Sequence, residues 1–506
     1  MPDLPPETLD LLIIGGGING VGIARDASGR DLRVALCEMG DLAGATSSSS
    51  SKLIHGGLRY LEHFEFRLVR EALAEREVLL KIAPHTVRPM RFIIPHVPAL
   101  RPAWMVRLGL FLYDHLSRRV TLPDSQSLDL TAGVWGADFK PGLRRGFAYS
   151  DCWVDDARLV VLNARDAADR GARVLTRTRF KSATPSGSTW RVVLEDTLDG
   201  GHTEIQARVL VNATGPWLTR TLEAVPGAEQ RHRIRLVKGS HIVVPRLYPG
   251  DHALILQNDD QRVVFVIPFE DDYSLIGTTD VVVGDEPGLA AISNDEVDYL
   301  CRAVNRYLTK ESTADDVVWS FAGVRPLFDD GASKASEVSR DYALELDRHD
   351  GRPPLLSIYG GKLTTYRKLA ERALDMLTPV FPSMGPPWTA EGALPGGTLP
   401  EGGVDALVEQ LRDGYPALDR ELLRQLARRH GSLATEVLAG TRQGAGTGQH
   451  FGADLYAFEV DYFVRKEWAL TAEDVLWRRT KSGLRLDGAA ANALAAYLQQ
   501  DATRRG

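Results

Sequence analysis

Leu11-Leu12-Ile13-Ile14-Gly15-Gly16-Gly17-Ile18-Asn19-Gly20-Val21-Gly22-Ile23-Ala24-Arg25 reads as a strand, a glycine turn and the start of a helix. The branched apolar run up to Ile14 has the length of a strand covered on both faces. A periodic segment from Ile18 to Ala27 follows and stops at Gly29, and a second strand from Arg33 to Glu38 closes a βαβ unit. Gly15, Gly17 and Gly20 then fall on the three glycine positions of a dinucleotide fingerprint. The first permits the tight turn, the second lets a pyrophosphate reach the backbone, and the third lets helix and strand lie close. Free amides at the helix start would face the phosphates. Glu38 comes 23 residues after Gly15, close to the roughly 20 expected of the acid that holds an adenosine ribose. A glycine-rich turn in an ordinary α/β domain is the alternative; strand, helix, second strand and terminal acid together favour nucleotide binding.

The 506 residues exceed one core and suggest two to four domains. Hydrophobic residues at 44% and charged residues at 25% suit a globular chain, and the net charge of −7 argues against nucleic acid as the main partner. Cys37, Cys152 and Cys301 are too few and too distant for a disulfide framework or a zinc site, so a reducing cytosol is expected. The proline-rich, acidic start has no leader pattern. No apolar run reaches the ~18 residues needed to span a bilayer. The 103–113 stretch, with Trp104, Arg107 and Tyr113, has the pattern of a helix lying in a membrane interface or of a buried amphipathic helix.

Further along, Thr46 and Ser47 to Ser51 precede Lys52, His55 and Arg59. Hydroxyls, amides and a lysine suggest a second cradle for a pyrophosphate rather than a solvated linker. Helices are expected over 64–82 and 154–170, with residues 90–150 an irregular excursion between them. Strands over 173–179, 190–194 and 205–213 lead into Ala213-Thr214-Gly215, where small residues admit a close neighbour. Residues 232–345 look like a largely antiparallel sheet carrying Lys238-Gly-Ser-His241, Gly277-Thr-Thr-Asp280 and Gly323-Val-Arg325-Pro326. Near 355–377 a strand, Gly360-Gly361, Lys362 and a long helix offer another set of bare amides. After a Pro- and Gly-rich linker at 381–403 the remainder is helical by periodicity.

These motifs together resemble the FAD-dependent glycerol-3-phosphate dehydrogenases of respiration, from about residue 9 to the C-terminus. The resemblance implies an α/β plus antiparallel β architecture of the glutathione-reductase and D-amino-acid-oxidase type. It places FAD-binding segments at 1–90, 151–225 and 351–385, and a substrate or membrane-contact excursion at 91–150. The substrate-binding sheet would then occupy 226–350 and a C-terminal helical cap 386–506. It also implies oxidation of sn-glycerol 3-phosphate at carbon 2 to dihydroxyacetone phosphate, electron delivery to membrane quinone, peripheral attachment to the cytoplasmic face, and often a homodimer.

Carried onto this chain, the resemblance assigns FAD contacts also to Ile18, Asn19, Leu53, Arg179, Asp280, Leu363 and Thr364. The amides of 361–364 would sit by the flavin and stabilise negative charge on it. Arg59, Arg325, Arg340 and Lys362 match the family's anion-binding positions, with Tyr60 and Thr278 beside them. A phosphate dianion favours such forked cationic partners. Arg325 stands out because its surroundings, 321–328, are otherwise uncharged. His241 is the candidate base, since imidazole titrates near the working pH, and His55 is the second candidate. A peroxide-forming oxidase is the nearest rival reading. A flavin-binding scaffold without turnover and an NAD enzyme are the others.

Overall fold

The computed structural model describes residues 8–117, 121–131, 133–260, 262–284, 287, 290–328, 341–349, 351–441 and 446–505. Leu9–Ile14 is a strand buried along its whole length. It pairs in parallel with Val34–Cys37 on one side and His202–Asn212 on the other. Leu355–Gly360 and Arg173–Leu175 extend the parallel array outward, and Tyr342–Asp347 closes one edge antiparallel. Burial of Leu11, Leu12 and Ile13 is complete, a contribution of about 1.5–3 kcal/mol each. That is why the run lacks the polar alternation of a half-exposed strand.

One face of this sheet is covered by the helices Ile18–Ser28, Asp156–Asp169 and Tyr366–Leu377, whose apolar residues share one core with the strands. Asp155 caps the second of these, accepting a hydrogen bond from the Arg158 amide. The other face packs against the hairpin Thr178–Ser186 and Thr189–Asp196.

The second sheet has ten strands. Ile234–Pro245 lies at its heart, paired antiparallel with Trp319–Phe328 and Tyr273–Gly277. The sheet continues through Val263–Phe269, Ala253–Gln257, Val87–Pro95 and Arg145–Val154 to Leu53–Ile54. All of these pairings are antiparallel except Ala253–Gln257 with Val87–Pro95.

Residues 90–150 leave the first sheet, as expected, but are not irregular throughout. Strands Val87–Pro95 and Arg145–Val154 run through the boundaries expected at 90 and 150 and belong to the second sheet. Their polar residues disguise them in the sequence. Asp151 on the second strand is fully buried yet accepts from Arg76 at 2.6 Å and from the Tyr113 hydroxyl at 2.7 Å, so its charge is compensated inside the fold.

The C-terminal part has its own apolar core. It is helical as expected, from Gly403–Gly414 and Arg420–His430 through Ala457–Glu467 to Gly488–Arg505, with one short pairing of His450–Gly452 and Leu455–Tyr456. It docks on the first domain through buried ion pairs, Arg158 with Glu467 and Arg479 with Asp41.

Candidate active site

A cavity of about 1290 Å³ runs between the two sheets. Ordinary small-molecule pockets hold about 300–1,000 Å³, so this one has room for a dinucleotide and a second ligand. At one end the βαβ turn forms its wall. Gly15 has φ +111°, and a Cβ there would lie 2.6 Å from the Ala213 carbonyl oxygen. This close approach to the 213–214 backbone excludes any side chain at position 15, and Ala213, Thr214 and Gly215 line the cavity. A Cβ on Gly20 would fall 1.9 Å from the Gly15 carbonyl. Gly20 packs helix on turn and is not itself on the wall.

Glu38 lies at the tip of the second strand and lines the cavity. Its carboxylate accepts from the Gly16 amide at 2.7 Å and the Gly40 amide at 2.8 Å. Burial lifts its titration above the usual carboxylate range against those two donors.

Ser47 adds a cap that the sequence did not reveal. Its hydroxyl accepts the Ile18 amide at 3.0 Å, so one amide at the helix start is already engaged. Thr46 donates to the Val324 carbonyl at 2.6 Å, and a Cβ on Gly323 would touch Ser49. The serine run is therefore a wedge joining the two sheets.

Lys52 does not reach the cavity, contrary to its expected place in a phosphate cradle. Its ammonium is buried against Asp156 at 2.7 Å and the Ser48 carbonyl at 3.0 Å. A buried lysine needs such a partner, and Asp156 supplies it. His241 is displaced as well. Strand register puts it opposite Gly277 and Phe321. Its ring stacks on Phe321 at 4.9 Å, its Nε2 lies 2.9 Å from the Ser51 hydroxyl, and it is absent from the cavity wall. Burial first, and then the Arg325 and Lys52 charges, hold its imidazole well below the ordinary range.

His55 does line the cavity. Burial, and then the Lys362 charge, push it down to about 4, so it is neutral at pH 7 and free to accept a proton. Thr364 clamps its backbone, accepting from the His55 amide at 3.3 Å. Of the two candidate histidines, His55 lines the cavity and His241 does not.

The described cationic positions share one cavity. Arg59, Tyr60, Thr278, Arg325 and Lys362 all belong to this one wall. Lys362 Nζ stands 3.8 Å over the Tyr60 ring. Arg325 donates to Asp280 at 2.5 Å and to the Thr278 hydroxyl at 2.9 Å. Asp280, expected as a cofactor contact, is thereby the group that aims the guanidinium. Arg179 also lines the cavity, with its guanidinium turned to Glu195 at 2.9 Å. Arg340 lies outside the described residues.

A nucleotide cofactor fits these residues. Among the described residues the buried Asn19 Oδ1 and Arg59 Nε have no protein hydrogen-bond partner. Gly361, with φ +103°, would bring a Cβ within 2.8 Å of the Asn19 amide, so a side chain there would crowd the wall. Leu53, Leu363 and Thr364 complete that end. The wall also includes Arg177 and, from the C-terminal domain, Thr471, Glu473, Asp474 and Arg478. No local motif marks these five; they meet only through domain docking.

Comparison with known proteins agrees with this geometry. A model described as FAD dependent oxidoreductase matches residues 10–367, and one for the C-terminal domain of alpha-glycerophosphate oxidase matches 388–502. The glycerol-3-phosphate dehydrogenase of Pseudomonas aeruginosa is 54% identical over 98% of this chain and 96% of its own. The chain belongs to the FAD-dependent glycerol-3-phosphate dehydrogenase family. Within that family's reach, the D-erythritol 1-phosphate dehydrogenase of Brucella abortus is 51% identical, over 95% of this chain and 96% of its own. The X-ray structure of the glycerol-3-phosphate dehydrogenase from Bacillus halodurans complexed with FAD superposes with a TM-score of 0.74 at 30% identity, over 94% of this chain and 86% of that one. FAD is the cofactor of this dehydrogenase-family fold, and the glycine turn, Glu38 and the 361–364 turn line the cavity that would hold it.

Proposed function

We propose that the chain oxidises sn-glycerol 3-phosphate at carbon 2 to dihydroxyacetone phosphate. The observation that carries this reading is that Arg59, Arg325 and Lys362 line the same cavity as His55, whose imidazole is held neutral. FAD, when bound, supplies the two-electron acceptor that takes the carbon 2 hydride. The arginines and Lys362 pin the phosphate dianion, with the Arg325 fork held in place by Asp280 and Thr278. His55 accepts the carbon 2 hydroxyl proton. The amides at 361–364 present partial positive charge to the cofactor.

Electrons then pass to membrane quinone, from an enzyme bound peripherally to the cytoplasmic face. No described helix is long and apolar enough to cross a membrane. The Ala103–His115 helix buries Leu110 and Tyr113 but exposes Trp104 (69%), Leu108 (50%) and Phe111 (50%). Phe64 and Phe66 are exposed too, with their rings 6.2 Å apart. Such apolar exposure supports interfacial binding.

Anaerobic addition of glycerol 3-phosphate tests the reading: the yellow flavin absorbance should bleach within the mixing time and return on adding a quinone. D-erythritol 1-phosphate serves as the second arm, because its phosphate would meet the same clamp. Bleaching by the erythritol ester alone would reassign the substrate. Stoichiometric peroxide on admitting air, with no response to quinone, would make the protein an oxidase.

A further inference from the structure

The C-terminal domain reaches the adenosine end of the cavity through a π-helical segment, Asp474–Arg479. Asp474 is fully buried. Its carboxylate accepts from the Leu470 and Thr471 amides at 2.8 and 3.0 Å, from Arg478 at 2.6 Å and from Arg177 at 2.6 Å. Arg177 belongs to the first domain, where its amide donates to the Gly40 carbonyl at 3.0 Å and its guanidinium lies beside Gly40. In the other direction, Arg478 Nε donates to Asp41 at 2.6 Å and Arg479 grips the same carboxylate at 2.8 and 2.7 Å. Two crossed charge bridges therefore bind one turn of the C-terminal domain to the loop that follows Glu38. Thr471, Glu473, Asp474 and Arg478 stand on the same cavity wall as Glu38, Gly40 and Asp41.

We propose that this 471–479 turn is part of the cofactor site, walling its adenosine end and holding the 38–44 loop in place, so that the C-terminal domain sets how tightly FAD is retained. The ribose acid sits at a strand tip, and the loop after it makes few regular backbone bonds: Gly44 to Asp41, Ala43 to Gly16 and Arg177 to Gly40. Without the Arg478, Arg479 and Asp474 contacts that loop would have to be ordered on each binding event, which lowers affinity and speeds release. The arrangement gives the C-terminal domain a task distinct from substrate chemistry. The inference concerns FAD alone and stands whichever polyol phosphate is the substrate.

The test uses the full chain, stripped of FAD and titrated back. Arg177→Met leaves Asp474 paired with Arg478 and two amides, and Asp474→Asn removes the shared carboxylate. FAD affinity should fall by about tenfold or more in Asp474→Asn and by a smaller factor in Arg177→Met, the size expected for losing charge-assisted hydrogen bonds. ADP, which fills only the adenosine end, should lose affinity in parallel, and flavin fluorescence should rise faster on dilution. Unchanged affinity for FAD and ADP in Arg177→Met overturns the proposal, whatever becomes of Asp474→Asn. So does an equal fall in melting temperature of the apo and FAD-saturated protein at unchanged affinity, because that is a purely structural role.

Discussion

The hydroxyl of Ser51 lies 2.9 Å from Nε2 of His241, and of the two only the serine belongs to the cavity wall. Through this contact we propose that His241 positions Ser51. Ser51→Ala and His241→Asn should each lower kcat by about two- to tenfold, the size of one lost neutral hydrogen bond. The double variant should be no worse than either single one, because both remove the same contact. Fully multiplicative effects in steady-state kinetics would separate the two residues.

Arg325, which we propose carries the phosphate, is itself held by Asp280. Arg325→Ala should raise KM for glycerol 3-phosphate by at least about tenfold, since a charged contact is lost and the Asp280 carboxylate is left facing the anion. Arg325→Lys keeps the charge without the fork and should fall between. The flavin spectrum, recorded before substrate is added, should be that of the parent in both.

With His55 proposed as the base, its titration should set the pH behaviour. A base must be unprotonated, and with its titration pushed down to about 4 His55 is fully in its working form at pH 7. It loses that form only as pH falls through that value. Once corrected for the second ionisation of the phosphate near ~6, kcat/KM should be flat from pH 8 to about 5 and then decline. His55→Asn should cut kcat by about 10²–10⁴-fold and abolish the decline. A limb near 6.5 that survives the substitution would assign the proton to another group.

Trp104 and Phe111 are exposed on one helix and are not part of the cavity lining. Replacing both by serine should reduce co-sedimentation with vesicles of anionic lipid by about tenfold or more, as each buried aromatic contributes roughly 1.5–3 kcal/mol. Turnover with a water-soluble dye should be unaffected. Parent-like vesicle binding would exclude this helix as the contact.

Much of the fold is legible in the chain because its signals are local. The 11–14 run, the glycine turn and the helices over 18–28 and 366–377 follow from side-chain period and from what a glycine permits. Asp151 shows where such reading fails: on composition it denies the strand Arg145–Val154, and only Arg76 and Tyr113, from two other elements, make its burial tolerable. Arg59, Arg325 and Lys362 were legible as cations, and all three line the cavity. Lys52 was legible as a cation too, yet it is spent on Asp156.

What the sequence determined alone is the nucleotide-binding βαβ unit, since Gly15 and Gly20 are dictated by distances of a few ångströms to backbone nearby in the chain or across one strand pair. What the tertiary structure decided is which histidine sees the cavity and which domain closes its adenosine end. His241 is turned inward by pairing with strands 36 and 80 residues away, and Asp474 meets Arg177 across 297 residues. Side-chain direction at such sites depends on contacts between distant segments, and no local pattern encodes that.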